Sequence, residues 1–165
     1  MSDCEVVSTG DILIKAGGRG TYSVAMDLIR NTKKELQIAS FSFSDSMGEL
    51  LDLFETLLLN GVRITVILNS PTTVGTTIKS NLGKLSKRFS DFTTYDFVGT
   101  SGRLLHSKVI ISDRARALVG SANLSWGGLR GNYEIGILVK GEQAWEISKL
   151  LDEIAVVSER FRFDG

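Results

Sequence analysis

Several residue types that decide function are scarce in this sequence. Cys4 is the only cysteine, which excludes an intrachain disulfide and any zinc site built from several cysteines. No apolar run approaches the roughly 18 residues of a membrane span, and the first residues lack the basic and apolar regions of a signal peptide. We therefore expect a cytoplasmic protein without stable membrane association.

The net charge of the sequence is zero, yet the charges are unevenly distributed. The 19 basic and 19 acidic residues cancel, but residues 79–116 hold eight basic and three acidic side chains. Such a basic segment is typical of a surface that binds a phosphate-bearing substrate. The substrate-binding candidates in this segment are Lys84, Lys87, Arg88 and Arg103. The alternative is that most of these charges only solvate a helix face.

The length and the apolar pattern predict one domain over residues 1–165. A chain of 165 residues with 42% apolar residues can bury one core. Periodicity predicts helices over 21–33, 46–60, 76–88 and 143–160, and strands over 11–15, 35–43, 62–68, 92–97, 106–112, 115–120 and 133–139. The alternation of strands and helices predicts an α/β fold with helices on both faces of a mixed, mostly parallel sheet.

The only histidine, His106, begins a group of polar residues that suits phosphate chemistry. It starts the pattern H-x-K-x4-D-x6-G-S-x-N, whose members are His106, Lys108, Asp113, Gly120, Ser121 and Asn123. Side chains two apart on a strand share a face, and strand ends often form the site of an open α/β sheet. Imidazole is a nucleophile and proton carrier near neutral pH, while lysine and asparagine donate to phosphate oxygens. This set can attack a phosphate ester without a metal.

Glu134 and Trp126, which follow the pattern in the chain, are further candidate site residues. Glu134 could accept a hydrogen bond from one ring nitrogen of His106 and so leave the other nitrogen free to attack. The alternative is that Glu134 is an ordinary surface charge on a strand. Trp126 could stack on a base of a nucleic acid, or it could be a structural aromatic in a glycine-rich loop.

The pattern from His106 to Asn123 resembles the signature of the phospholipase D superfamily, and the likeness is strongest over 103–140. The resemblance implies a double displacement, in which one motif histidine attacks phosphorus and a second histidine protonates the leaving oxygen. It further implies that Lys108 and Asn123 bind the phosphoryl group, that Ser121 is a supporting donor and that Glu134 orients the histidine. Asp113 would be structural, in keeping with its position at a predicted turn.

Only one such motif is present, as in the small members of that superfamily that pair two chains around one cleft. The resemblance therefore implies a homodimer that cleaves DNA or RNA without a metal or other cofactor. Two other functions stay open. One is a phospholipase or phosphatidyltransferase acting on lipid phosphodiesters, although no basic amphipathic helix is visible. The other is a non-catalytic nucleic-acid-binding module, and either kind of chain could belong to a larger defence, restriction or repair complex.

Overall fold

The computed structural model describes residues 4–98, 102–161 and 163, and this part of the chain forms one nine-stranded sheet. The strands, in chain order, are β1 (Cys4–Thr9), β2 (Arg19–Gly20), β3 (Glu35–Ser40), β4 (Arg63–Leu68), β5 (Phe92–Asp96), β6 (Val109–Ser112), β7 (Arg116–Gly120), β8 (Glu134–Lys140) and β9 (Glu159–Arg160). The α-helices are α1 (Asp11–Lys15), α2 (Thr21–Arg30), α3 (Glu49–Leu59), α4 (Thr76–Arg88) and α5 (Glu142–Val156).

The sheet is mixed, as predicted, but it is less parallel than expected. The strand order is β2-β1-β8-β7-β6-β3-β4-β5-β9, and only the pairs β1–β2, β3–β4 and β4–β5 are parallel. One antiparallel pair is made at Asp113 and Arg114, which have φ angles of 55° and 56° and reverse the chain between β6 and β7. Two adjacent residues with positive φ form the turn that suits a tight hairpin.

Helices cover both faces of the sheet, as predicted. The helices α2, α3 and α4 bury the larger core on one face, where Ile38, Phe54 and Ile64 are fully enclosed. The helix α5 covers the other face, over a smaller core that includes Ala39, Ile111 and Ala117. Among the described residues, no helix is long and apolar enough to cross a membrane.

The first residues of the chain depart most from the prediction. Residues 11–15 were expected to form a strand, but they form α1, and the strand β1 just before them was not predicted. The change occurs at Gly10, whose φ of 104° turns the chain out of the sheet. A run of three apolar residues is too short for its period to distinguish a strand from a helix.

Candidate functional site

One edge of the sheet gathers most of the residues of the histidine pattern. The parallel strands β3, β4 and β5 end at this edge, and β6 begins there because it runs antiparallel to β3, with Val109 opposite Ala39. His106 and Lys108 precede β6, Ser121 and Asn123 follow β7, and Glu134 starts β8. We call this edge the catalytic edge. It brings the predicted catalytic residues together, with the exception of Asp113.

His106 and Lys108 form the centre of the site. The Lys108 ammonium lies 3.0 Å from Nδ1 and 3.1 Å from Nε2 of His106, and it donates to the His106 carbonyl oxygen at 2.7 Å. The ring of Phe41 lies 5.1 Å from the His106 ring and 5.8 Å from the Lys108 nitrogen. The imidazole thus lies next to both an ammonium and an aromatic ring, while its residue stays exposed.

Burial at the site changes the acidity of Lys108. Desolvation lowers the pKa of its ammonium below the ordinary value, and the negative charge of Glu134 partly opposes this change. An ammonium with a lowered pKa is a stronger hydrogen-bond donor. Lys108 is therefore well suited to donate to an oxygen of a phosphate group that enters the site.

Asn69 anchors the loop that carries His106. The Asn69 side-chain oxygen accepts a hydrogen bond of 2.7 Å from the backbone N–H of Leu105, whose side chain is buried. Asn69 follows directly on β4, as Phe41 follows on β3. Sequence reasoning missed both residues, although a polar or aromatic residue at the carboxyl end of a parallel strand is a usable signal.

Glu134 is bound to Ser121 rather than to the ring of His106. Its carboxylate accepts a hydrogen bond from the Ser121 hydroxyl and another, of 3.3 Å, from the Asn132 amide. The Ser121 hydroxyl in turn accepts the backbone N–H of Ile135 at 3.3 Å. Within one chain Glu134 therefore organises the Ser121 side of the site. This contact differs from the predicted one, in which Glu134 accepts from the imidazole.

Asn123 has a buried side-chain oxygen with no hydrogen-bond partner among the described residues. Its backbone is tightly enclosed, since a Cβ at Gly128 would lie only 2.4 Å from the Asn123 carbonyl oxygen. An unpaired buried polar atom is rare in folded proteins and often marks a functional position. Asn123 thus keeps an unused hydrogen-bond acceptor beside the site.

Asp113 lies outside the site, at the opposite edge of the sheet. Its carboxylate accepts backbone N–H groups from Lys33 at 2.9 Å, Lys34 at 2.7 Å and Glu35 at 3.0 Å. Desolvation raises its pKa, but the three backbone donors outweigh this and hold the pKa below its ordinary value. The four residues of β6, about 13 Å of strand, separate Asp113 from the catalytic edge. Asp113, although a member of the histidine pattern, therefore ties the β6–β7 turn to β3 and takes no part in the catalytic edge.

The predicted substrate-binding residues fall into two groups. Lys84, Lys87 and Arg88 lie in the second half of α4, which ends next to the start of β5 and therefore points away from the catalytic edge. Arg88 forms a salt bridge with Glu55. Arg103, in contrast, is exposed three residues before His106.

Trp126 lies close to Asn123 in the chain and presents an aromatic surface to solvent. Its backbone N–H donates to the Ser46 hydroxyl at 3.0 Å. Its ring rests on Gly131, where a Cβ would lie 2.4 Å from ring carbon Cζ3, yet the residue is 55% exposed. The ring therefore has a structural contact and also leaves a surface accessible to solvent.

Comparisons with known proteins bear on the family and the fold of the chain. Residues 25–155 match the protein family described as Cardiolipin synthase, PLD-like domain. DISARM protein DrmC of Bacillus paralicheniformis is 30% identical over 154 residues, covering 93% of this chain and 63% of that protein. The virion nicking-joining enzyme of Vaccinia virus is 32% identical over 134 residues, covering 72% of this chain and 29% of that protein. The chain thus spans less than two thirds of the length of these relatives.

The fold also matches a solved structure of similar size. Nuc from Salmonella typhimurium, a phospholipase D family member, superimposes with a TM-score of 0.72 at 16% sequence identity. The match covers 96% of this chain and 97% of that one. At this identity the likeness establishes the architecture of the chain.

Proposed function

Because the chain belongs to the phospholipase D-like domain family, we propose that it is a metal-independent phosphodiesterase that cleaves DNA or RNA. The observation that carries this proposal is the imidazole of His106, exposed at the catalytic edge and held by Lys108. Ser121, Asn123 and Glu134 complete the site. It needs no cofactor, because the nucleophile and the groups that stabilise charge are all side chains of the protein.

The proposed reaction has two steps. In the first, a ring nitrogen of one His106 attacks phosphorus, a P–N bond forms, and the P–O bond to the leaving group breaks. A second imidazole gives its proton to the leaving oxygen. In the second step that imidazole removes a proton from water, the water oxygen attacks phosphorus, and the P–N bond breaks. Lys108 and Asn123 donate to the phosphoryl oxygens throughout, with Ser121 as a supporting donor.

The second imidazole would come from another copy of the chain, since His106 is the only histidine in the sequence. A nucleophile and an acid must lie on opposite sides of phosphorus for an in-line displacement, so one side chain cannot serve both roles in one step. We therefore infer a homodimer whose two catalytic edges face one substrate. Glu134 would act as a positioning residue for this shared site.

Nucleic acid is the substrate class that the surroundings of the site favour. Arg103 offers an exposed positive charge and Trp126 an exposed ring, a combination that suits phosphates and bases. The names of two relatives, a DISARM protein and a nicking-joining enzyme, support the same class and a place in a larger defence or repair complex. We further infer that the protein works in the cytoplasm without stable membrane association.

Lipid phosphodiesters are the second candidate, because the matched family is described as Cardiolipin synthase, PLD-like domain. The same intermediate could be intercepted by water or by an alcohol, which would give a phospholipase or a phosphatidyltransferase. A non-catalytic nucleic-acid-binding module is less well supported, since His106, Lys108, Ser121 and Asn123 are all present.

One assay separates these functions. Purified protein is incubated in EDTA with labelled single-stranded DNA, double-stranded DNA, RNA and phospholipid vesicles. We expect cleavage of nucleic acid that persists in EDTA and disappears in His106→Ala. Activity that is lost in EDTA and restored by Mg²⁺ would refute the metal-independent mechanism. Headgroup release alone would establish the lipid function, and salt-dependent binding without turnover would establish the binding module.

A further inference from the structure

Trp126 lies on the loop that joins two residues of the proposed site. Residues 124–132, which we call the Trp126 loop, follow Asn123 and lead through one further residue into Glu134 at the start of β8. Three residues of extended chain span at most about 11 Å, so the Trp126 backbone lies within that distance of Asn123. The indole therefore lies beside the groups that are proposed to hold a phosphate.

The indole ring is held against the backbone of its own loop. Its six-membered half contacts Gly131, where a Cβ would lie 2.4 Å from ring carbon Cζ3 and 2.9 Å from Cε3. The Trp126 N–H also donates to the Ser46 hydroxyl at 3.0 Å. The ring thus has a fixed orientation, although the residue is 55% exposed.

Arg130 anchors the same loop to two helices. Its guanidinium carbon lies 3.7 Å from the centroid of the Tyr22 ring on α2, and one of its nitrogens lies 3.3 Å from the carboxylate of Glu49 on α3. The Tyr22 hydroxyl donates to that carboxylate at 2.8 Å. These contacts hold the loop before any ligand arrives. A preorganised aromatic side chain loses little conformational entropy when it binds a ligand.

The other tryptophan of the chain, Trp145, provides an internal comparison. Trp145 is 48% exposed, but the Lys149 ammonium lies 3.6 Å from the centroid of its ring. No aromatic ring and no cation lies over the ring of Trp126 among the residues that the structure describes. The two indoles are almost equally exposed, yet only that of Trp126 has an exposed surface without such a partner.

A flat aromatic group is the ligand that suits this ring. Nucleobases stack on aromatic side chains, and the interaction tolerates any base because every base has a π-face. In a duplex the faces of each base are covered by its neighbours, so a base that stacks on a protein ring must first leave the stack. A lipid phosphodiester has no aromatic group that could take the same place.

We propose that Trp126 stacks on the base of a nucleotide next to the scissile phosphate, so that the site takes strands in which this nucleotide is unpaired. The inference rests on the proposed function and narrows its substrate to single-stranded nucleic acid. A base on Trp126 and a phosphate at Lys108 and Asn123 would fix the strand at two points. Trp126 is thus assigned as a specificity-determining residue that takes no part in proton transfer.

The test removes the ring and the base separately and then together. The ligand is a short single-stranded oligonucleotide with one phosphodiester, which sets the register, and methylphosphonates elsewhere. In a His106→Ala background, which leaves the ligand intact, we expect Trp126→Ala to raise Kd about tenfold. An abasic position beside the phosphodiester should raise Kd equally, and both changes together should do no more than either alone. Trp145→Ala, which alters an equally exposed indole, is the matched control and should leave Kd unchanged.

Fluorescence provides a second measurement that keeps Trp126 in place. In Trp145→Phe the only emission from tryptophan comes from Trp126, and we expect the oligonucleotide to quench it and the abasic form to quench it far less. Absence of quenching by a bound oligonucleotide would overturn the proposal. Circular dichroism verifies that each variant is folded.

Three further results would contradict the stacking of a base on Trp126. They are unchanged oligonucleotide binding by folded Trp126→Ala, additive effects of the ring and base removals, and an equal loss of binding to a fully paired duplex. Loss of binding to phospholipid vesicles alone would assign the ring to a membrane surface instead. None of these results would affect the proposed function, which depends on cleavage of nucleic acid by the wild type in EDTA.

Discussion

The two edges of the sheet are built from the same strands but are bonded very differently. At the edge with the β6–β7 turn, one carboxylate, Asp113, satisfies three consecutive backbone N–H groups. At the catalytic edge, Asn123 keeps a buried oxygen unpaired, and the Lys108 ammonium has only His106 as a hydrogen-bond partner among the contacts described. At the first edge these backbone N–H groups are paired, and the pairing stabilises the fold. The other leaves part of its bonding capacity unused within the described residues.

This contrast divides a single sequence motif into two tasks. Asp113 lies within the pattern that His106 begins, yet β6 separates the two residues by its full length. Substitutions at the two edges should therefore affect different quantities, namely activity at one edge and stability at the other.

The largest effect is expected from His106→Ala. Loss of the nucleophile should lower kcat by about a thousandfold or more, because the remaining donors can bind a phosphate but cannot attack it. Melting temperature should stay close to that of the wild type, since the residue is exposed. Steady-state cleavage assays and thermal melts measure the two quantities, and substantial residual turnover by purified His106→Ala would exclude the residue as nucleophile.

A large loss of stability is expected from Asp113→Ala. Three backbone N–H groups would lose a charged acceptor, which should cost about 2–3 kcal/mol of unfolding free energy. Because the folded pKa of Asp113 is depressed, its contribution is present above the unfolded value near 4 and is lost as pH falls through the folded pKa.

Chemical denaturation at several pH values tests this assignment. The stability gap between wild type and Asp113→Asn should narrow as pH falls below about 4. Activity per folded molecule should be unchanged near neutral pH. A variant that is fully stable but inactive would place Asp113 in the catalytic machinery after all.

An intermediate effect is expected from Glu134→Gln. The amide can still meet Ser121, but it removes the negative charge that opposes the lowered pKa of Lys108. We expect kcat to fall by about tenfold to a hundredfold. The limb of the pH–rate profile that reports Lys108 should also shift to lower pH. A purely structural role would leave the position of that limb unchanged.

The smallest effects separate Arg103 from the lysines of α4. Arg103→Ala should raise KM for nucleic acid by a few fold and reduce the salt slope of binding by about one, as expected for one lost phosphate contact. Lys87→Ala, near the carboxyl end of α4, should change neither KM nor the salt slope of binding. Fluorescence anisotropy over a range of salt concentrations tests both variants. An equal loss in Lys87→Ala would show that the substrate extends across α4.

Local patterns in the sequence predicted the elements that depend on neighbouring residues. The helices α2, α4 and α5 were predicted near their observed positions because an amphipathic period repeats within each of them. The strand β1 was missed, since its pairing with β8 joins residues that are far apart in the chain. The site was predicted in the same uneven way: the histidine pattern is local, whereas Phe41 and Asn69 reach the site only through the convergence of parallel strands.

The sequence by itself determined the chemistry of this protein: one histidine, a lysine two residues later, and a serine and an asparagine at a fixed spacing. The residue types fix which reactive groups the chain can offer, although their surroundings adjust the acidity of each group. Only the tertiary structure decided which of them share an edge, because strand direction and register separate Asp113 from His106 and direct Glu134 toward Ser121.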